Sequence, residues 1–190
     1  MPILARGFTL PEVMLAMTFG SLIILAAAKT LPILHQQVAD AGRHYRLELV
    51  LRQLLFGIEK DLRRSGFCAG ECQGKPLLIG NAPGEAANSC VIVAYDLNRN
   101  GRWEKSGDAE YFGYRQRAGA LEGQRGVTQC AGLGWERLLD QEEVQIEAFS
   151  VSQILDSRGG SVVLLSLSGR STAKENIQRR LEWAVGMEAL

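Results

Sequence analysis

The stretch Arg6-Gly7-Phe8-Thr9-Leu10-Pro11-Glu12-Val13-Met14-Leu15-Ala16-Met17 decides how the rest of the chain is read. Beyond it, residues 13–28 carry no charge, and Lys29 closes the run. Counted from Phe8 to Ala28 the apolar stretch is 21 residues. At 1.5 Å per residue that is about 31 Å of helix, the thickness of bilayer hydrocarbon. One charge lies inside it, Glu12, and Arg6 stands ahead of it.

A secretory signal peptide is built differently. It has a longer basic start, a shorter apolar core and a small-residue cleavage site after that core. Here Gly7 precedes the core. A carboxylate in a membrane span costs about 2.5–3.5 kcal/mol at mid-bilayer on insertion scales, so Glu12 calls for a role and a partner.

At Gly7-Phe8-Thr9-Leu10-x-Glu12 the chain resembles type IV prepilins and type II secretion pseudopilins. The resemblance implies that a prepilin peptidase cuts between Gly7 and Phe8 and methylates the new N-terminal Phe8. Pro11 stands where the family more often has an aliphatic residue. Proline is tolerated in the first turn of a helix, where its missing N–H would be unpaired anyway. After cleavage Phe8 carries a positive amine at the end of an apolar helix. Burying that amine or the Glu12 carboxylate alone is unfavourable, and pairing them offsets part of the cost. Within one helix the two are four residues apart. Between helices side by side, Glu12 of one subunit meets Phe8 of the next, which the family is thought to use to set subunit stagger.

The chain of 190 residues has 21 Lys plus Arg and 21 Asp plus Glu. A net charge of zero with no basic stripe argues against a nucleic-acid partner. Cys68, Cys72, Cys90 and Cys130 all follow the span. An even count on one side of a membrane suits an oxidising compartment. The bulk is then expected in the periplasm and the leader in the cytoplasm. Two intramolecular disulfides are expected, with three pairings open. Zinc is disfavoured, since Cys68-x-x-x-Cys72 lacks paired short spacings and no histidine lies near.

The expected division is a leader at 1–7, a membrane-spanning and filament-core helix at 8–30, an amphipathic second half at 31–66, and a β-rich domain at 67–190. Pro32 is expected to kink the helix. Leu47, Leu51, Leu54, Leu55, Ile58 and Leu62 share one helical face. Arg43, Arg46, Glu48, Arg52, Glu59, Lys60 and Arg63 lie opposite. Ser65-Gly66 ends the helix, glycine being a favoured C-terminal cap.

Strands are expected at 76–79, 90–95, 111–116 with 120–122, 144–154, 161–168 and 177–185. The alternation of the fourth slips at Phe149, which suggests a bulge. Residues 135–139 read as one helical turn, and 156–160 as a hairpin turn. A long N-terminal helix followed by an antiparallel sheet is an α+β arrangement.

Asp96-Leu97-Asn98-Arg99-Asn100-Gly101-Arg102-Trp103-Glu104 matches the opening of an EF-hand-like calcium loop. Asp96, Asn98, Asn100, the Arg102 carbonyl and Glu104 fall at ligand positions. The twelfth position is Gly107, so Asp108 or Glu110 would have to replace the usual bidentate Glu. Calcium is thus one expectation for this loop. A polar hairpin loop is the other, since Asn and Gly are also turn residues. His35 and His44 lack an arranged partner, and Trp103, Trp135 and Trp183 read as core. No Ser/His/Asp order, phosphate loop or acid/base pair is present, so no enzymatic activity is expected.

The domain also resembles J-type minor pseudopilins and the minor pilins close to them. The matching pieces are Ser65-Gly66-Phe67-Cys68 with Cys72, Cys90-Val91-Ile92-Val93, the loop 96–103, and Thr128-Gln129-Cys130 before Gly134-Trp135. The resemblance implies a minor pilin, anchored in the inner membrane by one span, that helps initiate a type IV pilus. The alternative it leaves open is a minor pseudopilin near the tip of a type II secretion filament. The implied partners are prepilin peptidase, other minor pilins and the major pilin.

Overall fold

The structure, a computed structural model, describes residues 7–155 and 161–187, with the backbone alone at Leu155. Two compact units divide it, 1–42 and 43–190.

The first element is helix α1, Leu10–Arg64, with Glu12 in its first turn and Arg63 and Arg64 in its last. Those signs suit the helix dipole, positive at its start and negative at its end. The helix runs unbroken through Pro32. In the first unit it is long and apolar enough to cross a membrane, and none of its most apolar window is buried. A core helix of a soluble domain would bury that window. Side chains such as Leu22, Ile23 and Ile24 are therefore exposed in the structure, as on a candidate membrane span.

In the second unit the leucine face is buried as the spacing predicts. Leu47, Leu51, Leu55, Ile58 and Leu62 are each no more than 2% exposed. The helix ends on Gly66, whose φ of 88° is left-handed and whose N–H donates to Ala94 O at 2.8 Å. That is the conformation a C-terminal cap demands and glycine adopts without strain.

Among the described residues eight strands follow: β1 Leu77–Gly80, β2 Cys90–Ala94, β3 Tyr111–Arg117, β4 Ala120–Arg125, β5 Glu136–Arg137, β6 Val144–Leu155, β7 Ser161–Ser171 and β8 Gln178–Met187. They form two antiparallel sheets, a five-stranded one in the order β1-β2-β3-β4-β5 and a three-stranded one in the order β6-β7-β8. The main core gathers the helix leucines with Val91, Val93 and Leu121 of the first sheet. Ile146, Phe149, Val151, Val163, Leu165 and Leu167 of the second sheet complete it. Alternation along β2 sends Cys90, Ile92 and Ala94 to the other face, where they join Tyr111, Val127 and Cys130 in a second cluster. Trp183 packs half-buried against the first cluster, and Trp103 and Trp135 half-buried against the second, at the margin of the core rather than inside it.

Two sequence expectations are corrected. Residues 135–139 form no helical turn. Glu136 and Arg137 pair with Gly123 and Glu122, because β4 offers a free edge and so short a segment has little preference of its own. The β-bulge lies at Glu147, between the pairs Ile146↔Gly169 and Ala148↔Ser168, and not at Phe149. One inserted residue there keeps Val144 and Ile146 in phase with Phe149 and Val151, so all four reach the core. The turn expected at 156–160 lies outside the described residues; β6 and β7 pair antiparallel up to Leu155↔Ser161 on either side of it.

Candidate processing and assembly site

Residues 7–9 precede the helix and carry no regular structure. Phe8 is 82% exposed, so the Gly7–Phe8 bond is open to a peptidase. Thr9 is the N-cap. Its N–H and its hydroxyl both approach Glu12 Oε2, at 3.5 and 3.4 Å, while Val13 N–H donates to Thr9 O at 3.2 Å. Ser/Thr-x-x-Glu at a helix start is a capping box, in which the Glu returns to the first free N–H groups. These contacts are long and individually weak. They still place the carboxylate one residue from the amine that cleavage would create at Phe8. The capping box was legible in Thr9-Leu10-Pro11-Glu12.

The loop 96–104 is organised by Asp96, which is 2% exposed. Asp96 Oδ2 accepts from Ala69 N at 2.9 Å and Gly101 N at 2.8 Å, and Oδ1 from Asn100 N at 3.0 Å. Burial pushes this carboxyl up, but the N–H groups of Ala69, Gly101, Asn100 and Arg99 outweigh it and hold it below its ordinary range. Asn98 Oδ1 accepts from Asn100 N, and Asn100 Oδ1 from Arg102 N. Asn100 Nδ2 donates to Glu104 Oε1 at 2.5 Å, and Asn98 Nδ2 to Asp108 Oδ2 at 3.4 Å.

At the foot of this loop Glu110 is fully enclosed. Its Oε1 accepts from Leu97 N at 2.6 Å and Asn98 N at 3.1 Å. Burial raises its carboxyl, and the neighbouring Glu104 carboxylate raises it further. Glu104 is shifted the other way, below its ordinary range, so Glu110 is the one of the two that holds a proton to higher pH. Asp96, Asn98, Asn100, Arg102, Glu104 and Asp108 thus do share one loop, with Glu110 as its buried base. The oxygens of Asp96, Asn98 and Asn100 face N–H donors, while Glu104 Oε2 is buried without a hydrogen-bond partner among the described residues. Among the described residues, one set of three acidic or thiol groups has its ligand atoms within 4.8 Å, namely Cys68, Cys72 and Asp96. Both sulfurs of that set are tied up in a disulfide. As arranged, the loop is a hydrogen-bonded turn.

The cysteines pair as Cys68–Cys72 and Cys90–Cys130. The first closes a small loop whose Ala69 N–H is the one bound by Asp96 and whose Gly70 lies against Gly101. A Cβ on Gly70 would sit 3.0 Å from the Gly101 Cα. The second ties β2 to the segment after β4. There Arg115, 2% exposed, donates to Glu122 Oε2 and to Cys130 O, and lies 4.2 Å from the Trp135 ring centre.

Asp61 is a second buried charge. Its carboxylate accepts from Tyr95 Oη at 3.1 Å and Tyr114 Oη at 2.6 Å. Sequence reasoning missed both Asp61 and Arg115. No local pattern marks them, because their partners lie far along the chain.

An exposed Gly-Phe bond, an apolar helix capped by a Glu, and an α+β domain on the same helix define a class: single-helix proteins with a candidate N-terminal span and a folded C-terminal domain. The chain belongs to the prepilin peptidase-dependent protein B family, whose model matches residues 40–187. It is 32% identical over 181 residues to Prepilin peptidase-dependent protein B of Escherichia coli (strain K12), covering 94% of this chain and 92% of that one. It is also 26% identical to an uncharacterized protein of Haemophilus influenzae, covering 64% of this chain and 71% of the relative. No solved structure matches it.

Proposed function

We infer that this chain is a minor pilin. In this reading prepilin peptidase removes residues 1–7 and methylates Phe8, and the helix holds the protein in the inner membrane with its domain in the periplasm. From there it joins other minor pilins and the major pilin to start a type IV pilus. The observation that carries the reading is the exposed Gly7–Phe8 bond, one turn before Glu12, at the head of a helix whose most apolar window is unburied among the described residues. Near full-length similarity to a protein named for its dependence on prepilin peptidase supports it.

Physical chemistry assigns the parts. The apolar helix moves from lipid into a bundle of like helices, an exchange between two apolar surroundings. The Phe8 amine and the Glu12 carboxylate are the polar exception. Breaking a buried pair by removing one partner costs about 3–5 kcal/mol, because the other charge is left uncompensated. Glu12→Val should therefore leave insertion and cleavage intact and reduce the number of filaments. Pili counted by electron microscopy test this, with the variant shown to be cleaved and stable. Unchanged pilus numbers both in the variant and on deletion of the chain would contradict the reading. Lost secretion with intact pili would move it to a type II secretion filament.

A further inference from the structure

We propose that the cleft at the C-terminal end of α1, bordered by Arg64 and Arg99, is a binding site for a peptide carboxylate carried beside an apolar side chain. It stands apart from the pilin reading and needs neither cleavage nor a filament.

The cleft has a volume of about 340 Å³ and is lined by Arg64, Phe67, Tyr95, Asp96, Leu97 and Arg99. That falls in the range of small-ligand sites, about 300–1,000 Å³. Its walls are fixed from behind. Phe67 O accepts from Asp96 N at 2.8 Å and from Trp103 Nε1 at 3.2 Å. Phe67 and Leu97 are nonetheless 41% and 50% exposed, so two apolar side chains face water at a rigid site.

Two guanidiniums stand beside them, and neither has a carboxylate. Elsewhere on the helix Arg52 and Arg63 hold Glu48 and Glu59 at 2.8 and 2.6 Å. Arg64 instead lies 5.7 Å over the Tyr95 ring centre. Among the described residues the Arg99 side chain has no ion pair or hydrogen bond. Its backbone makes that informative. Arg99 has a φ of 61°, in the left-handed region that side chains with a Cβ seldom adopt. Asp96 Oδ1 and Asn98 Oδ1 both accept from Asn100 N and hold the turn there. Glycine or asparagine would suit the turn better. An arginine kept at such a backbone, and unused within the chain, fits a group that acts on a ligand.

Charge and shape select that ligand. The lining carries two guanidiniums and one carboxylate, Asp96, which leaves one positive charge. Asp96 offers the ligand little, since both its oxygens are taken by the N–H groups of Ala69, Gly101 and Asn100. Asp61 does not line the cleft, and its oxygens hold the Tyr95 and Tyr114 hydroxyls. Partial negative charge at the end of α1 is reduced by Ser65 and Phe67, whose N–H groups donate to Leu62 O and Arg64 O. A single carboxylate neutralises the remaining charge, whereas a phosphate monoester, at about −1.5 to −2, would exceed it. A guanidinium also matches a carboxylate through two parallel N–H bonds. Phe67 and Leu97 then receive an apolar side chain beside it. A chain ending in Leu offers both groups, and so does an internal Glu-Leu.

The test uses the full chain in non-ionic detergent micelles and three fluorescent peptides, read by anisotropy, with empty micelles correcting for partition. One peptide ends in Leu with a free carboxylate. The second is the same peptide amidated, and the third is amidated but carries an internal Glu-Leu. At least one of the two carboxylate peptides should bind about tenfold or more tightly than the second, and less so as salt rises. Which of them binds distinguishes a terminal from an internal carboxylate. Arg99→Gly should weaken that binding about tenfold without lowering the thermal unfolding midpoint, because glycine suits the left-handed turn. Arg99→Gln, which keeps the Cβ, should weaken it equally. Equal binding of all three peptides, binding of none, or binding that survives Arg99→Gly would overturn the proposal. So would displacement of the peptide by inorganic phosphate at lower concentration than by acetate.

Discussion

Tyr114 Oη donates to Asp61 Oδ2 at 2.6 Å, joining α1 to β3, the central strand of the five-stranded sheet. Tyr95 Oη meets the other oxygen at 3.1 Å, and its ring stacks on Phe112 with centres 4.6 Å apart. One buried carboxylate thus fixes the helix against Tyr95, just past the end of β2, and Tyr114 of β3, which are 34 and 53 positions away. Asp61→Ala leaves both hydroxyls unsatisfied and should cost about 2–4 kcal/mol, whereas Tyr114→Phe should cost about 1 kcal/mol. Urea unfolding of the full chain in detergent, followed by tryptophan fluorescence, gives both values. Equal, small effects would mean that the cluster is not what holds the helix.

The same cluster predicts alkaline sensitivity. Burial, and then the Asp61 charge, pushes the Tyr95 hydroxyl from 10.0 up to about 12, and the same two causes raise Tyr114 further. The folded state keeps protons that the unfolded chain gives up. The stabilisation is complete below pH 10 and is lost as pH rises from about 10 through 12. Unfolding midpoints across that range should fall more steeply in the natural protein than in a Tyr95→Phe, Tyr114→Phe variant. Parallel slopes would contradict this origin.

The two disulfides should differ in effect. Cys90–Cys130 closes a separation of 40 residues, and removing it should cost about 2–4 kcal/mol. Cys68–Cys72 spans a separation of 4 and constrains little of the unfolded chain. Its loss should instead loosen the loop that Ala69 and Gly70 hold, raising amide hydrogen exchange at Asn100 and Gly101. Asp96→Ala should do the same, and a calcium chelator should not. Exchange that rises on chelation would show a bound cation, and with it the coordination set first read from the sequence.

Much of this was legible. Leucines at helical spacing located the buried face of α1, and the unbroken apolar run at 90–94 located a strand buried on both sides. Four cysteines beyond the span indicated two bridges but could not choose the partners, because pairing depends on which strands become neighbours. Residues 135–139 were misread since pairing with β4 overrode a weak local preference. The slip near Phe149 was visible in the alternation, while its place at Glu147 was set by which residues must reach the core. Asp61 and Arg115 looked like ordinary charges, because burial and distant partners leave no local mark.

Processing at the N-terminus tests the central claim most directly. Intact-mass analysis of the membrane-extracted protein should show a chain that begins at Phe8 and carries one added methyl group in cells with active prepilin peptidase. The same protein should retain residues 1–7 where the peptidase is inactivated. A chain that still begins at Met1 in cells with active peptidase would contradict the account.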